Sequence, residues 1–97
     1  MTRQEAMKHL LARQEELHAL GVKTLALFGS VARGDAVKKS DVDVVVELNR
    51  AMGLFGLSDL KHRIQEILGV QHVDLITRDS IHPALKDVIL KELVDVI

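Results

Sequence analysis

Gly29-Ser30-Val31-Ala32-Arg33-Gly34-Asp35, followed by Ser40-Asp41-Val42-Asp43-Val44-Val45-Val46, is the stretch that decides the fold. A Gly-Ser pair closes an apolar run, a short polar turn follows, and two aspartates one residue apart head a second apolar run. Strand alternation over residues 41–48 puts Asp41, Asp43, Val45 and Glu47 on one face and Val42, Val44, Val46 and Leu48 on the other. The all-apolar face belongs in a core. The other face is expected to be open enough to hold carboxylates.

Working outward, residues 22–28 (Val-Lys-Thr-Leu-Ala-Leu-Phe) read as a short buried strand that ends at the Gly-Ser pair. Residues 30–33 are expected to form one helical turn, and residues 34–40 a polar loop. Ahead of them, residues 2–20 read as one helix. Thr2 and Glu5 form a capping box, Ala6, Met7, Leu10, Leu11, Leu17 and Leu20 make the apolar stripe, and Gly21 stops it. Past the aspartates, residues 54–68 carry Leu57, Leu60, Ile64, Ile67 and Leu68 at helical spacing, closed by Gly69. Residues 70–77 read as a third strand, with Val73 and Leu75 on one face and His72, Asp74 and Ile76 on the other. If Val73 and Leu75 share the core of Val42 and Val44, Asp74 emerges on the side of Asp41 and Asp43. Residues 82–97 are expected to form a final helix opened by Pro83, with the apolar tail 93–97 completing the core or meeting a partner. The fold class is therefore α/β (α+β): a small mixed sheet flanked by helices.

Composition sets limits. The chain has 97 residues, and this length predicts a single domain over residues 1–97. Aromatics are 2 % of the residues, with no Trp or Tyr, so no base-stacking surface is available. The net charge of −1 and dispersed Lys and Arg argue against strong direct nucleic-acid binding. The absence of cysteine excludes a disulfide framework and thiolate metal sites. A charged N-terminus and the lack of a long apolar run predict no membrane association and a cytoplasmic location.

The chemistry follows from the residue types. Two carboxylates on one strand face, joined by a third from a neighbouring strand, can hold a pair of Mg²⁺ ions, which prefer octahedral oxygen coordination shared with water and substrate phosphates. Two such ions roughly 3.5–4 Å apart stabilise the attacking and leaving oxygens of an in-line displacement. Asp74 is the candidate to orient or deprotonate an attacking hydroxyl. At the turn, Gly29 lets backbone approach a phosphate, and the Ser30 hydroxyl and neighbouring N–H groups can bind its oxygens. Arg33 suits either a bidentate phosphate contact or a structural ion pair. Gly29-x4-Gly34 begins like a P-loop, but Asp35 and Ala36 stand where Lys and Ser or Thr are required, and no Gly-x-Gly-x-x-Gly occurs. Lys38 and Lys39 read as a solvated loop. His9, His18, His62, His72 and His82 show no metal-ligand spacing, although His72 falls on the carboxylate face.

Leu27-Phe28-Gly29-Ser30 through Asp35, then Ser40-Asp41-Val42-Asp43 and the later Val73-Asp74-Leu75, resemble the signature of the DNA polymerase β-like nucleotidyltransferase superfamily. Within it the chain is most similar to the minimal nucleotidyltransferases, the MNT proteins often paired with HEPN-domain partners. The resemblance spans essentially the whole chain. It implies Mg²⁺ held by Asp41, Asp43 and Asp74, and a nucleoside triphosphate, ATP, contacted by Gly29 and Ser30. It further implies transfer of AMP to a hydroxyl on a HEPN-type toxin, with this chain as antitoxin. A single domain of this length lacks an acceptor-selecting domain, so another chain, a homo-oligomer mate or both are expected to complete the acceptor site. Two other readings stand beside it: a non-catalytic or nucleotide-sensing module that neutralises a HEPN partner by contact, and a transferase acting on a small molecule.

Overall fold

A computed structural model describes residues 1–34 and 42–97. The loop expected over 34–40, with Lys38 and Lys39, falls almost wholly outside these residues, and so does Asp41.

The chain runs α1 (Arg3–Ala12), α2 (Gln14–Ala19), β1 (Val22–Phe28), α3 (Gly29–Arg33), β2 (Val42–Leu48), α4 (Leu54–Leu68), β3 (Val73–Thr77), a single 3-10 turn (Arg78–Ser80), α5 (Pro83–Glu92) and β4 (Val94–Asp95). The sheet order is β3-β2-β1-β4. β1 pairs antiparallel with β2 and with β4, while β2 and β3 are parallel and joined by the α4 crossover. The sheet is therefore mixed, as the sequence predicts.

Strand alternation builds the core. Val42, Val44 and Val46 of β2, Leu25 and Leu27 of β1 and Val73 of β3 are almost completely buried. They form one cluster with Ala6 and Leu10 of α1, Leu17 of α2, and Leu60, Ile64 and Leu68 of α4. Val22 belongs to the same cluster although it stands three positions before Leu25. The β1–β2 register shifts between Val22 and Thr24, and that irregularity turns both side chains inward. The opposite face of the sheet is different in kind. Ala26 and Val45 are register partners, are buried, and lie outside the main cluster.

Three expectations change in detail. The helix over 2–20 is two helices that meet at Arg13, whose φ of −115° and ψ of 22° leave the helical region. Neither glycine nor proline marks the break, so apolar periodicity runs straight through it. The predicted capping box is present: the Glu5 N–H donates to Thr2 Oγ1 at 3.1 Å and the Thr2 N–H to Glu5 Oε1 at 3.2 Å. The third strand begins at Val73, three residues later than expected.

The largest change concerns residues 82–97. Helix α5 opens with Pro83 in its first turn but ends at Glu92, where Leu93 turns extended. Val94 and Asp95 then pair with Leu27 and Ala26 along the open edge of β1. The Val96 N–H donates to the Leu25 carbonyl at 2.9 Å and the Leu25 N–H to the Ile97 carbonyl at 3.2 Å. Two forces override helical periodicity here. Val94, Val96 and Ile97 are β-branched and favour a pleated surface, and β1 would otherwise leave a row of donors and acceptors without partners. The tail does complete the core, since Val94, Val96 and Ile97 pack against the main cluster. Among the described residues no helix is long and apolar enough to cross a membrane.

Candidate active site

The site forms where β1 ends and β2 and β3 begin. Asp43 is the cross-strand partner of Phe28 on one side and of Asp74 on the other. In-register residues of a parallel pair project from the same sheet face, with backbones about 4.8 Å apart. The structure thus places Asp43 and Asp74 side by side on the face opposite the Val42-Val44-Val46 core. Asp43 is half-buried and Asp74 is exposed. The conformation of Asp41 lies outside the described residues. Those residues alone contain no group of three His, Cys, Asp or Glu side chains able to hold a metal ion.

The Gly-Ser turn meets this pair directly. Gly29 has a φ of +73°, a left-handed conformation that side chains with a Cβ rarely adopt. A Cβ at this position would overlap Oδ2 of Asp43 and come within 3.2 Å of its Cγ. The backbone at Gly29 and the Asp43 carboxylate therefore occupy adjoining space that no other residue type would leave open. Ser30 follows on α3, half-buried.

The short helix α3 is held firmly. Val31 and Ala32 are buried in the core cluster. Arg3 of α1 donates through Nη1 to the Ala32 carbonyl at 3.1 Å, satisfying one of the carbonyls a helix end leaves open. Gly34 closes the turn at φ +79°. Arg33 points to α5, where Nη1 meets Glu92 Oε2 at 3.4 Å across an exposed surface. Arg3 is a residue that sequence reasoning missed: it sits in an ordinary charged position of an amphipathic helix, and nothing local links it to a turn 29 residues away.

The donor set suits a hard divalent cation. Two carboxylates in register offer oxygen donors from one sheet face, and all-oxygen donors are the ligands Mg²⁺ selects. Glycine's missing side chain is what lets the Asp43 carboxylate lie directly against the backbone of the turn.

Comparison with known proteins gives the family. Residues 7–96 match the nucleotidyltransferase domain family, so the chain belongs to that family and to its class of enzyme. Among individual relatives, protein adenylyltransferase MntA of Thermococcus cleftensis is 32 % identical over 95 residues, covering 97 % of this chain and 95 % of that protein. MJ0435 of Methanocaldococcus jannaschii, provisionally named a protein adenylyltransferase, is 47 % identical over 77 residues, which is 79 % of this chain and 82 % of that one. A solved structure provisionally described as a minimal nucleotidyltransferase superposes with a TM-score of 0.73 at 31 % identity, covering 97 % of this chain and 95 % of that chain. The fold also matches a chain of the complex between a tri-AMPylated Shewanella oneidensis HEPN toxin and its MNT antitoxin. There the TM-score is 0.67 at 16 % identity, over 94 % of this chain and 71 % of that one.

Proposed function

We propose that this nucleotidyltransferase transfers AMP from ATP to a hydroxyl group of a protein partner, and that the partner is a HEPN-type toxin which the modification silences. The observation that carries the proposal is the register of Asp43 with Asp74 beside the side-chain-free approach at Gly29. The names of the adenylyltransferase relatives and the fold shared with an MNT antitoxin support it.

In this reading Asp41, Asp43 and Asp74 hold Mg²⁺, most simply two ions. When bound, the metal supplies charge neutralisation for the triphosphate and for the oxygens of an in-line displacement. The backbone at Gly29 and the Ser30 hydroxyl bind phosphate oxygens and orient the α-phosphorus. The acceptor oxygen forms a bond to that phosphorus as the bond to the β-phosphate bridging oxygen breaks. Pyrophosphate leaves, and the acceptor proton passes to Asp74 or to water oriented by it. Positioning and electrostatics account for most of the rate in such a reaction, so the sheet's contribution is to hold carboxylates and turn in one rigid frame.

The test uses the full chain with α-labelled ATP, Mg²⁺ and the HEPN protein encoded beside it. Label is expected to move onto the partner, and the Asp41→Ala/Asp43→Ala double variant is expected to stop both transfer and neutralisation. Neutralisation that survives in that variant without transfer would replace the enzymatic account with contact inhibition.

A further inference from the structure

A second cleft lies at the other end of the same two parallel strands. It has a volume of about 490 Å³ and is bordered by Glu47, Asn49 and Arg50 after β2, and by Thr77, Arg78 and Asp79 after β3. That volume falls within the range of small-molecule pockets, roughly 300–1,000 Å³. Crevices outside the carboxyl ends of parallel strands are recurrent ligand sites in open sheets. Asp43 and Glu47 are four residues apart on β2, which places this cleft roughly 13 Å from the carboxylate pair.

One atom in it stands out. Nε of Arg78 is buried and has no hydrogen-bond partner among the described residues. An unsatisfied buried N–H on a charged group is costly, and native proteins rarely tolerate one without a bound water, ion or ligand. Among the described residues no carboxylate pairs with Arg78 or with Arg50, whose Nη2 donates to the Leu20 carbonyl at 3.3 Å. Two guanidinium groups with no carboxylate partner among the described residues thus border one cleft.

The remaining charges narrow the ligand. Glu47 and Asp79 cancel the two arginines formally, and only Glu47 is engaged, by the Thr24 hydroxyl at 3.4 Å. A bare anion therefore meets little net field. A molecule with a phosphate at one end and hydroxyl groups at the other uses both halves of the lining: guanidinium donors for the phosphate, carboxylate acceptors for the hydroxyls. We infer that the cleft between Arg50 and Arg78 is a second, non-catalytic site for a phosphorylated polyhydroxy small molecule of the ribose-phosphate class.

At 97 residues the full chain is suited to a nuclear magnetic resonance titration. AMP and ribose 5-phosphate, added without Mg²⁺, are expected to shift the amides of residues 49–52 and 77–79 and the Arg78 Nε–H. Inorganic phosphate should bind at least tenfold more weakly. Arg78→Lys keeps the charge but removes the fork, and should weaken ribose 5-phosphate at least tenfold. Arg50→Gln, on the exposed side, should weaken it severalfold and stands in if the Arg78 variant does not fold. Asp43→Asn should leave the response intact, which separates this cleft from the carboxylate site. The inference is overturned if these resonances ignore all three ligands. It fails equally if they move only together with Gly29 and Ser30 and stop moving in Asp43→Asn, or if folded Arg78→Lys and Arg50→Gln both bind as the parent does.

Discussion

The two faces of β2 are made by alternate residues of one strand, yet they do opposite things. Val42, Val44 and Val46 are fully buried and belong to the apolar core cluster. On the other face Asp43 stands in register with Asp74, Val45 is buried beside Ala26, and Glu47 accepts from the Thr24 hydroxyl. The first face gains stability from burial. The second sets two carboxylates side by side, an arrangement suited to a divalent cation. The lesson is that the strand's rigidity comes from one side and is applied on the other. Mutations should therefore separate cleanly into those that remove chemistry and leave folding alone, and those that do the reverse.

The sharpest way to break that separation is at the carboxylates. Asp43→Asn keeps size and polarity and leaves the buried face untouched, so the melting temperature should change little. Nucleotidyl transfer should fall by roughly 10³-fold or more, in line with the loss of an electrostatic or metal-binding group. Asp74→Asn should fall comparably. Calorimetry beside a transfer assay checks both. A large loss of stability in either variant would mean that the carboxylates are structural and that the two faces are not independent.

Gly29→Ala is the next largest and the one variant expected to damage both properties. The added Cβ demands the space of Asp43 Oδ2 and the backbone must hold φ +73°. Strain of about 1–3 kcal/mol is expected, along with roughly a hundredfold loss of transfer as Asp43 is displaced. On the buried face, Leu27→Ala should cost about 3 kcal/mol by leaving a cavity in a fully packed cluster. Turnover per folded molecule, measured well below the new melting temperature, should change less than threefold.

How far the sequence revealed this arrangement depends on the range of the interaction. Alternation in 41–48 and 70–77 was enough to put Asp43 and Asp74 on one face, because the strand period is strictly two and each strand has an apolar face that must point inward. The Gly-Ser turn was legible for the same local reason: a close backbone approach needs a residue without a side chain. What stayed hidden was non-local. The exchange of a helical tail for a strand at Val94–Asp95 depends on the open edge of β1, almost 70 residues earlier. The Arg3–Ala32 contact links α1 to the turn, and no periodic signal reports it. Arg78 follows β3 with no local pattern to mark it, yet its Nε is buried.

The smallest effect belongs to a contact remote from both faces. Arg63 of α4 grips Glu16 of α2 bidentately, with Nη2 to Oε1 at 2.8 Å and Nε to Oε2. Hydrogen bonding to the guanidinium, followed by its positive charge, holds the Glu16 carboxyl below its ordinary range and raises Arg63 above its own. A depressed carboxyl favours the folded state once pH exceeds the unfolded value, about 4.3 for glutamate. It loses that contribution as pH falls through the lower, folded value. Arg63→Gln should therefore lower the urea midpoint slightly at pH 6 and by less at pH 3, so that the difference between variant and parent narrows on acidification. Both side chains are about one-third exposed, so the whole effect is small and should shrink further in 0.5 M salt. Transfer activity at pH 7 should not change, because α2 and α4 pack behind the buried face, away from Asp43 and Asp74. A parallel loss of activity would show that tension in the helical layer reaches the carboxylates through the strand, and the independence of the two faces would then hold only for side chains within the sheet.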